Sequence, residues 1–319
     1  MADASCTDQQ FIALWREHQS GAAVAKVLNI DSRPVLKRRR RIEKKYNIVL
    51  PVYDATRPQY NTAEVGNKAV IKYQISDGVV LVGSDAHIWG RPWTTMQRAF
   101  LHFAATAKPA AIIANGDFFD GARISRWPSI GWEQKPSVSQ ELEAVQDYLG
   151  ELEKASPKSK RFWPCGNHDA RFESKIASAL PEFERVKGVH LKDHFPWWAP
   201  CWRVDINDDV IVRHRELGGE HADYRNTQSG GKTIVTGHDH RANVTAYSDY
   251  TGIRWGVRCG YMCESPEDGQ FVNYLEARAP NWCPAFVVLT FVSGRLLWPE
   301  LVTKFDDTRV NFRGSLVSV

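Results

Sequence analysis

The sequence has no apolar run of the roughly 18 to 20 residues that a bilayer-spanning helix needs, and its first ten residues, MADASCTDQQ, lack the basic and apolar blocks of a signal peptide. A cytoplasmic protein with no membrane partner is the expectation. Cysteine is sparse. Six residues, Cys6, Cys165, Cys201, Cys259, Cys263 and Cys283, are scattered over 319 positions, which excludes a small disulfide-stapled scaffold and makes reduced thiols the default. Cys259 and Cys263, with Cys283 beyond them, do not repeat the two close pairs of a structural zinc knuckle. Apart from one Arg run there is no low-complexity tract and no internal repeat, so a solenoid is excluded. Apolar content is ordinary and charges of both signs are interspersed, which leaves neither a disordered chain nor a coiled coil as a candidate.

The length suits one large domain with its own core plus a small appendage. The net charge of +4 is unevenly placed: residues 1–50 hold ten Lys and Arg against five Asp and Glu, so the rest of the chain is slightly negative. Most of the excess lies in Lys37, Arg38, Arg39, Arg40, Arg41, Lys44 and Lys45. Phe11, Ile12, Leu14 and Trp15 fall at helical spacing after the possible caps Thr7 and Asp8, residues 22–28 predict a second helix, and Ser32 caps a third with Pro34 in its first turn. The spacing of Val24, Ala25, Leu28, Asn29, Ile30 and Val35 resembles the helix-turn-helix of DNA-binding proteins. Asn29 stands where that family usually has Gly, a departure that Asn tolerates because it visits the left-handed region. The resemblance implies DNA as a partner, with Arg33, Lys37, Arg38, Arg40 and Arg41 on the third helix meeting phosphates and base edges. A solvated basic face, or an arm packing on another subunit, is the alternative. The expected organisation is residues 1–46 as this helical segment, 47–67 as a linker punctuated by Pro51, Pro58, Asn61 and Gly66, and 68–319 as the main domain.

That main domain opens with a hairpin signal, residues 69–75 and 79–83 around Asp77-Gly78. Helical patterns at 94–107 and 139–154 then alternate with strand-like runs at 110–114 and 161–164, which predicts an α/β fold whose functional loops follow strand ends. Further strand-like runs at 202–206, 210–212, 233–236, 244–247, 253–257 and 286–291 predict a second sheet facing the first.

Five short blocks follow apolar β-like runs: Asp85-Ala86-His87, Gly116-Asp117-Phe118-Phe119-Asp120, Gly166-Asn167-His168-Asp169, His214, and Gly237-His238-Asp239-His240. Strand ends display side chains into a crevice, so segments remote in sequence meet there. Carboxylates, imidazoles and one amide oxygen, without thiolate, are donors for a hard-to-borderline dication. In this order the blocks resemble the calcineurin-like metallophosphoesterase family, with its D-x-H, G-D-x-x-D, G-N-H-[DE], strand-terminal H and G-H-x-H. The combination with a helix-turn-helix looks like genes of phages and prokaryotic mobile elements.

The resemblance implies a four-layer sandwich of two facing mixed β-sheets flanked by helices, and a hydrolase of phosphoester bonds. It implies one metal held by Asp85, His87, Asp117 and His240, and another held by Asp117, Asn167, His214 and His238. A bridging hydroxide would be the nucleophile, His168 the proton donor to the leaving oxygen, and Asp120 its orienting partner. Arg215 follows His214 where the family usually has Gly, and His221 is the rival ligand. Asp169 and Asp239 are expected as loop residues making supporting hydrogen bonds. Manganese is the expected metal, with iron, zinc or nickel compatible with the donors.

For the substrate, Arg123, Arg126, Arg171, Arg213, Arg215 and Arg241 lie near the proposed ligands, and Trp89, Trp93, Phe118, Phe119 and Trp127 are candidate stacking faces or core. Three readings follow. One is a DNA-processing exonuclease or endonuclease, one is a phosphodiesterase or phosphatase for a nucleotide or other small ester with the N-terminal helices serving oligomerisation, and one is a non-catalytic DNA-binding module.

Overall fold

The computed structural model describes residues 6–50, 68–129, 131–183, 186–264, 275–276 and 280–319. The chain divides into two compact units, Met1–Thr62 and Ala63–Val319.

The first unit holds helices α1 (Asp8–His18), α2 (Gly21–Leu28) and α3 (Ser32–Tyr46). Thr7 and Gln10 form a reciprocal capping box at the start of α1, and Ser20 caps α2. At α3 the cap is Asp31, which accepts from Arg33 N at 2.9 Å, not Ser32 as the sequence suggested; a carboxylate at this end also meets the helix dipole. Asn29, between α2 and α3, has φ 54° and ψ 45° and closes α2 in the left-handed conformation. Phe11, Trp15, Val24, Ala25, Val35, Ile42 and Leu50 are buried in one cluster, with Ile48 packed against it. The expected linker therefore begins later than residue 47, because apolar side chains at 48 and 50 complete the helical core; residues 51–67 lie outside the described residues.

The second unit runs β1 (Lys68–Tyr73), β2 (Gly78–Gly83), α4 (Thr95–Ala107), β3 (Ala111–Ala114), α5 (Val138–Ala155), β4 (Lys160–Pro164), α6 (Asp169–Ala179), α7 (Leu191–His194), β5 (Ala199–Ile206), β6 (Val210–Val212), α8 (Ala222–Gly230), β7 (Thr233–Thr236), β8 (Ala242–Asp249), β9 (Gly252–Cys259), β10 (Ala285–Val292), β11 (Arg295–Leu296), β12 (Glu300–Lys304), β13 (Arg309–Phe312) and β14 (Ser315–Ser318). Its strands form a mixed sheet flanked by helices. They follow one hydrogen-bonded path, β14-β13-β12-β10-β2-β3-β4-β5-β6-β7-β9-β8, with β1 on β5 and β11 on β10. The two expected sheets are two halves of one path, joined where β4 pairs in parallel with β5, but the run at 286–291, expected in the second, forms β10 beside β2 in the first. Val82 and Val287 from one half share a core with Val212, Val235 and Val257 from the other.

A second core lies under α4 and α5. Met96, Ala99, Phe100, Phe103 and Ala104 of α4, and Leu142, Val145, Leu149 and Leu152 of α5, recur at helical spacing and are buried there with Ile112 and Trp163. Both helices start with capping boxes, Thr94 with Gln97 and Ser137 with Gln140.

The hairpin expected around Asp77-Gly78 does not form. Strand β1 pairs in parallel with β5, whereas β2 lies between β3 and β10. The intervening residues are tied to other turns: Asn207 Oδ1 accepts from Ile75 N at 2.8 Å, and Asp77 Oδ1 accepts from Ser293 N at 2.9 Å. A strand's apolar pattern fixes which face is buried but not which strand lies beside it. No helix among the described residues is long and apolar enough to cross a membrane.

Candidate metal centre

The strand order places β2, β3 and β4 side by side in parallel, so the loops after them leave the same edge of the sheet. Those loops carry Asp85 and His87, Asp117 and Asp120, and Asn167 and His168; the loops after β6 and β7 bring His214, His238 and His240. Two groups of potential ligand atoms result, Asp85 with His87 and His240, and Asp117 with His214 and His238, the atoms within each group lying within 4.8 Å of one another. A third group, His87, Asp120 and His168, adjoins the first.

Backbone conformation aims these side chains. Asp85 (φ 54°), His87 (38°), Asp117 (55°), His238 (76°) and His240 (59°) all occupy the left-handed region, which costs an L-residue free energy and persists only where surrounding contacts hold it. The contacts are close. A Cβ on Gly166 would lie 2.1 Å from Asp117 Oδ1, and one on Gly237 would lie 1.8 Å from Ser84 Oγ, so the glycines beside the ligands in these two blocks are steric requirements.

Buried hydrogen bonds fix the ligands in turn. Asp85 Oδ2 accepts from Ser84 Oγ at 2.5 Å and from His238 N at 2.9 Å. Asp117 Oδ1 accepts from His168 N at 2.8 Å. His214 Nδ1 is 2.8 Å from Asn115 O, so it donates there and presents Nε2 without a proton when the ring is neutral. Asp169 accepts from Asp117 N, Phe119 N, Gly166 N and Trp163 Nε1 at 2.8, 3.0, 2.7 and 3.0 Å, clasping two ligand loops together. Glu141 of α5 accepts from Gly121 N at 2.5 Å and Ala122 N at 3.2 Å, and so holds the loop behind Asp120; burial first, and then the charge of Asp120, push its carboxyl up to about 8. Buried Arg258 pairs with Asp239 at 3.0 Å and Asp223 at 2.9 Å, anchoring the loop between His238 and His240.

What remains unsatisfied points inward. Asp85 Oδ1, Asn167 Oδ1 and His214 Nε2 are buried without a hydrogen-bond partner among the described residues. Asp85 Oδ1 lies 3.2 Å from His240 Nε2, and His214 Nε2 lies 3.0 Å from Asp117 Oδ2, yet neither pair has hydrogen-bond geometry. Orphaned polar atoms of this kind are costly, and oxygen and nitrogen donors converging on shared space fit divalent cations.

The charges agree. Burial alone would raise Asp85, but His240 and His214 draw it down to about 2. Burial opposes a charge on His214, yet Asp117 and Asp85 outweigh it and push the ring up to about 10. His238 is forced down to about 4, by burial first and by His214 next. A cluster of carboxylates that draws positive charge onto a buried imidazole is an acceptor for cations, which compete with those protons.

His168 sits at the edge of this cluster. Its Nδ1 contacts Asp120 Oδ1, which also lies 3.2 Å from His87 Nδ1, and its Nε2 is 3.1 Å from Arg171 Nη2. Burial disfavours the charged ring, but Asp117 and the Asp120 hydrogen bond offset this and hold it above its ordinary value. A pocket of about 500 Å³ opens over the centre, walled by Trp89, Trp127 and Trp282 as well as His168 and Arg171.

Other candidates lie elsewhere. His221, the rival to His214, lines a different pocket with Asp223 and Tyr224. Arg126, Arg171 and Arg215 line a groove beside the centre; Arg123 instead donates to Lys135 O, Arg213 pairs with Glu216, and Arg241 lines a separate hollow with Asp239 and Trp282. Phe118 and Phe119 are fully buried in the core under α4 and α5 and offer no stacking face, and Trp93 packs against that core under the Arg91 guanidinium. Two neighbours of the site were not foreseen. Trp282, 4.1 Å from His240 between ring centroids, has no local signal, whereas Lys175 stands one helical turn after Arg171, a spacing that marks a shared face.

In the first unit, Arg38 is corrected from a DNA contact to a structural residue: its guanidinium donates to Cys6 O at 2.6 Å and lies 3.4 Å from Asp8, with its side chain only 10% exposed. Arg41 and Lys45 also reach Asp8, at 3.8 and 2.9 Å. Arg33, Lys37, Arg40 and Lys44 are exposed and recur at helical spacing on the side of α3 away from Val35 and Ile42.

Residues 78–242, more than half of the chain, match the family described as calcineurin-like phosphoesterase, and the chain belongs to that family, hydrolases acting on phosphoester bonds. Among solved structures it is similar to Vps29 of Entamoeba histolytica complexed with zinc (14% identity, TM-score 0.40, covering 75% of this chain and 98% of that one). It is also similar to the phosphoesterase YfcE of E. coli (13%, TM-score 0.34, covering 75% and 97%) and to a serine/threonine phosphatase of Saccharomyces cerevisiae (13%, 0.39, covering 75% and 85%). No curated protein sequence matches the chain.

Proposed function

We propose that the chain cleaves phosphodiesters in DNA at a pair of divalent cations, one held by Asp85, His87, Asp117 and His240 and the other by Asp117, Asn167, His214 and His238. The observation that carries this reading is the convergence of buried donors in which Asp85 Oδ1, Asn167 Oδ1 and His214 Nε2 lack hydrogen-bond partners. Two bound cations supply Lewis-acid neutralisation of the phosphoryl group and activate a water, with manganese the expected ion and iron, zinc or nickel compatible with these donors. His168 lines the pocket and hands a proton to the leaving oxygen, while Asp120 holds its ring orientation. Arg171 donates to Asp120 O and offers its charge to the substrate's oxygens. The helices of residues 1–46 serve as a helix-turn-helix tether, with Arg33, Lys37 and Arg40 contacting backbone phosphates.

The test is a panel of single-stranded DNA, duplex DNA, cyclic nucleotides and bis(p-nitrophenyl) phosphate, each with manganese. Reversing the stripe in an Arg33→Glu, Lys37→Glu, Arg40→Glu variant should lower DNA turnover by about tenfold or more and leave the small diester unaffected. If neither protein cuts DNA, the nuclease reading is wrong, while turnover of the small diester still supports the metal centre.

The pocket with three tryptophan faces favours a second reading, a phosphodiesterase or phosphatase for a single nucleotide, the N-terminal helices then serving oligomerisation. Turnover confined to cyclic nucleotides would decide for it.

A further inference from the structure

Beside the tryptophan-walled pocket lies a groove of about 640 Å³, and Trp127, Arg171 and His238 line both. Its cations come from three separate segments, each just after a ligand block: Arg126 after Asp117 and Asp120, Arg171 and Lys175 on α6 after Asn167, and Arg215 after His214. On α6, Arg171, Ser174, Lys175 and Ser178 share one face, so two cations and two hydroxyls look into the groove together. Among the described residues no carboxylate lines it, in contrast to the neighbouring pocket with Asp117, Asp120 and Glu133. Lys175 and Arg215 are exposed and have no ion pair among the described residues. Donors of one sign with hydroxyls between them are a phosphate-binding surface. Trp127, 66% exposed at the junction of pocket and groove, offers a base a face on which to stack.

We infer that this groove binds a second, unreacted phosphate of a single polynucleotide strand while its neighbour occupies the metal centre. The inference rests on the phosphoesterase reading and adds what that reading leaves open: the substrate is recognised by a phosphate that is not cleaved, and α6 carries the recognition. A small diester has no such phosphate and gains nothing from the groove.

The test compares the full chain with Lys175→Glu and Lys175→Arg variants. With manganese, the ratio of kcat/KM on a trinucleotide to that on bis(p-nitrophenyl) phosphate should fall about tenfold in Lys175→Glu and stay within about twofold in Lys175→Arg, one charge-assisted contact being lost or kept. A second readout needs no turnover. By fluorescence anisotropy without added metal, Lys175→Glu should bind a labelled trinucleotide about tenfold more weakly, and the slope of log affinity against log salt should flatten by about 0.7. DNA and RNA trinucleotides form separate arms. An unchanged ratio with unchanged binding overturns the inference, as does an effect seen only with a nucleoside polyphosphate. Weakened binding without hydrolysis of any ester upholds the groove and removes the phosphoesterase reading beneath it.

Discussion

Left-handed backbone is used for different ends in the two units. In the helical unit it occurs at Gln19, Asn29 and Asn47, each ending a helix, where the reversed turn lets the last carbonyls find donors. In the phosphoesterase unit Lys108 ends α4 in the same way, but the conformation also recurs at Asp85, His87, Asp117, His238 and His240, none of which ends a helix. There it turns side chains off the strand direction and into a common space. The same dihedral region thus ends helices in both units and, in the phosphoesterase unit, also aims the candidate ligands. It is cheap where Asn or Gln has open surroundings and expensive where His and Asp must be held.

Substitutions can separate the two uses. The largest effect is expected from Gly237→Ala, whose Cβ would strike Ser84 Oγ and Asp85 Oδ2 and displace both the carboxylate and the His238 loop. If each displaced group costs about 10²-fold, kcat/KM falls by about 10⁴-fold and calorimetric titration shows loss of metal binding. Retained metal affinity would mean that the loops yield, and that the left-handed ligands are not rigidly set.

His168→Ala is the intermediate case. His168 has an ordinary right-handed backbone (φ −77°, ψ −46°), and alanine keeps the N–H that donates to Asp117, so the substitution removes the ring alone. Turnover should drop by about 10²- to 10⁴-fold with metal content unchanged by elemental analysis. Loss of metal along with turnover would make His168 part of the cradle. Asn29→Gly should matter least. Relieving a left-handed Asn at a helix end should raise the unfolding free energy read from urea titration of the full chain by no more than about 1 kcal/mol. A clear loss of stability would show that the Asn29 side chain carries something besides its conformation.

Legibility in the sequence followed the range of the interactions involved. The helical patterns at 94–107 and 139–154 rest on local apolar spacing and are α4 and α5, although the capping box of Ser137 with Gln140 starts α5 at Val138, one residue before the expected 139. The five blocks were readable because each follows its own strand, and a strand end is a local property. Partner choice was not: β1 looked like half of a hairpin, yet its neighbour is β5, more than a hundred residues on. Charge and aromaticity also misled where burial decides. Arg38 lies in an Arg run but turns inward to Cys6 O and Asp8, and Phe118 and Phe119 sit inside a ligand block but face the core. Asp169 was legible only as a hydrogen-bonding loop residue, because the donors it collects, three loop amides and the indole of Trp163 on β4, are brought together by the fold.

That four-donor clasp bears on how the centre acquires its metals. A carboxylate gathering both loops makes the spacing between Asp117 and Asn167 part of the polypeptide's own hydrogen bonding. Oxygen and nitrogen donors of this kind accept several dications, so the ion bound at such a centre would follow from supply as much as from the donors.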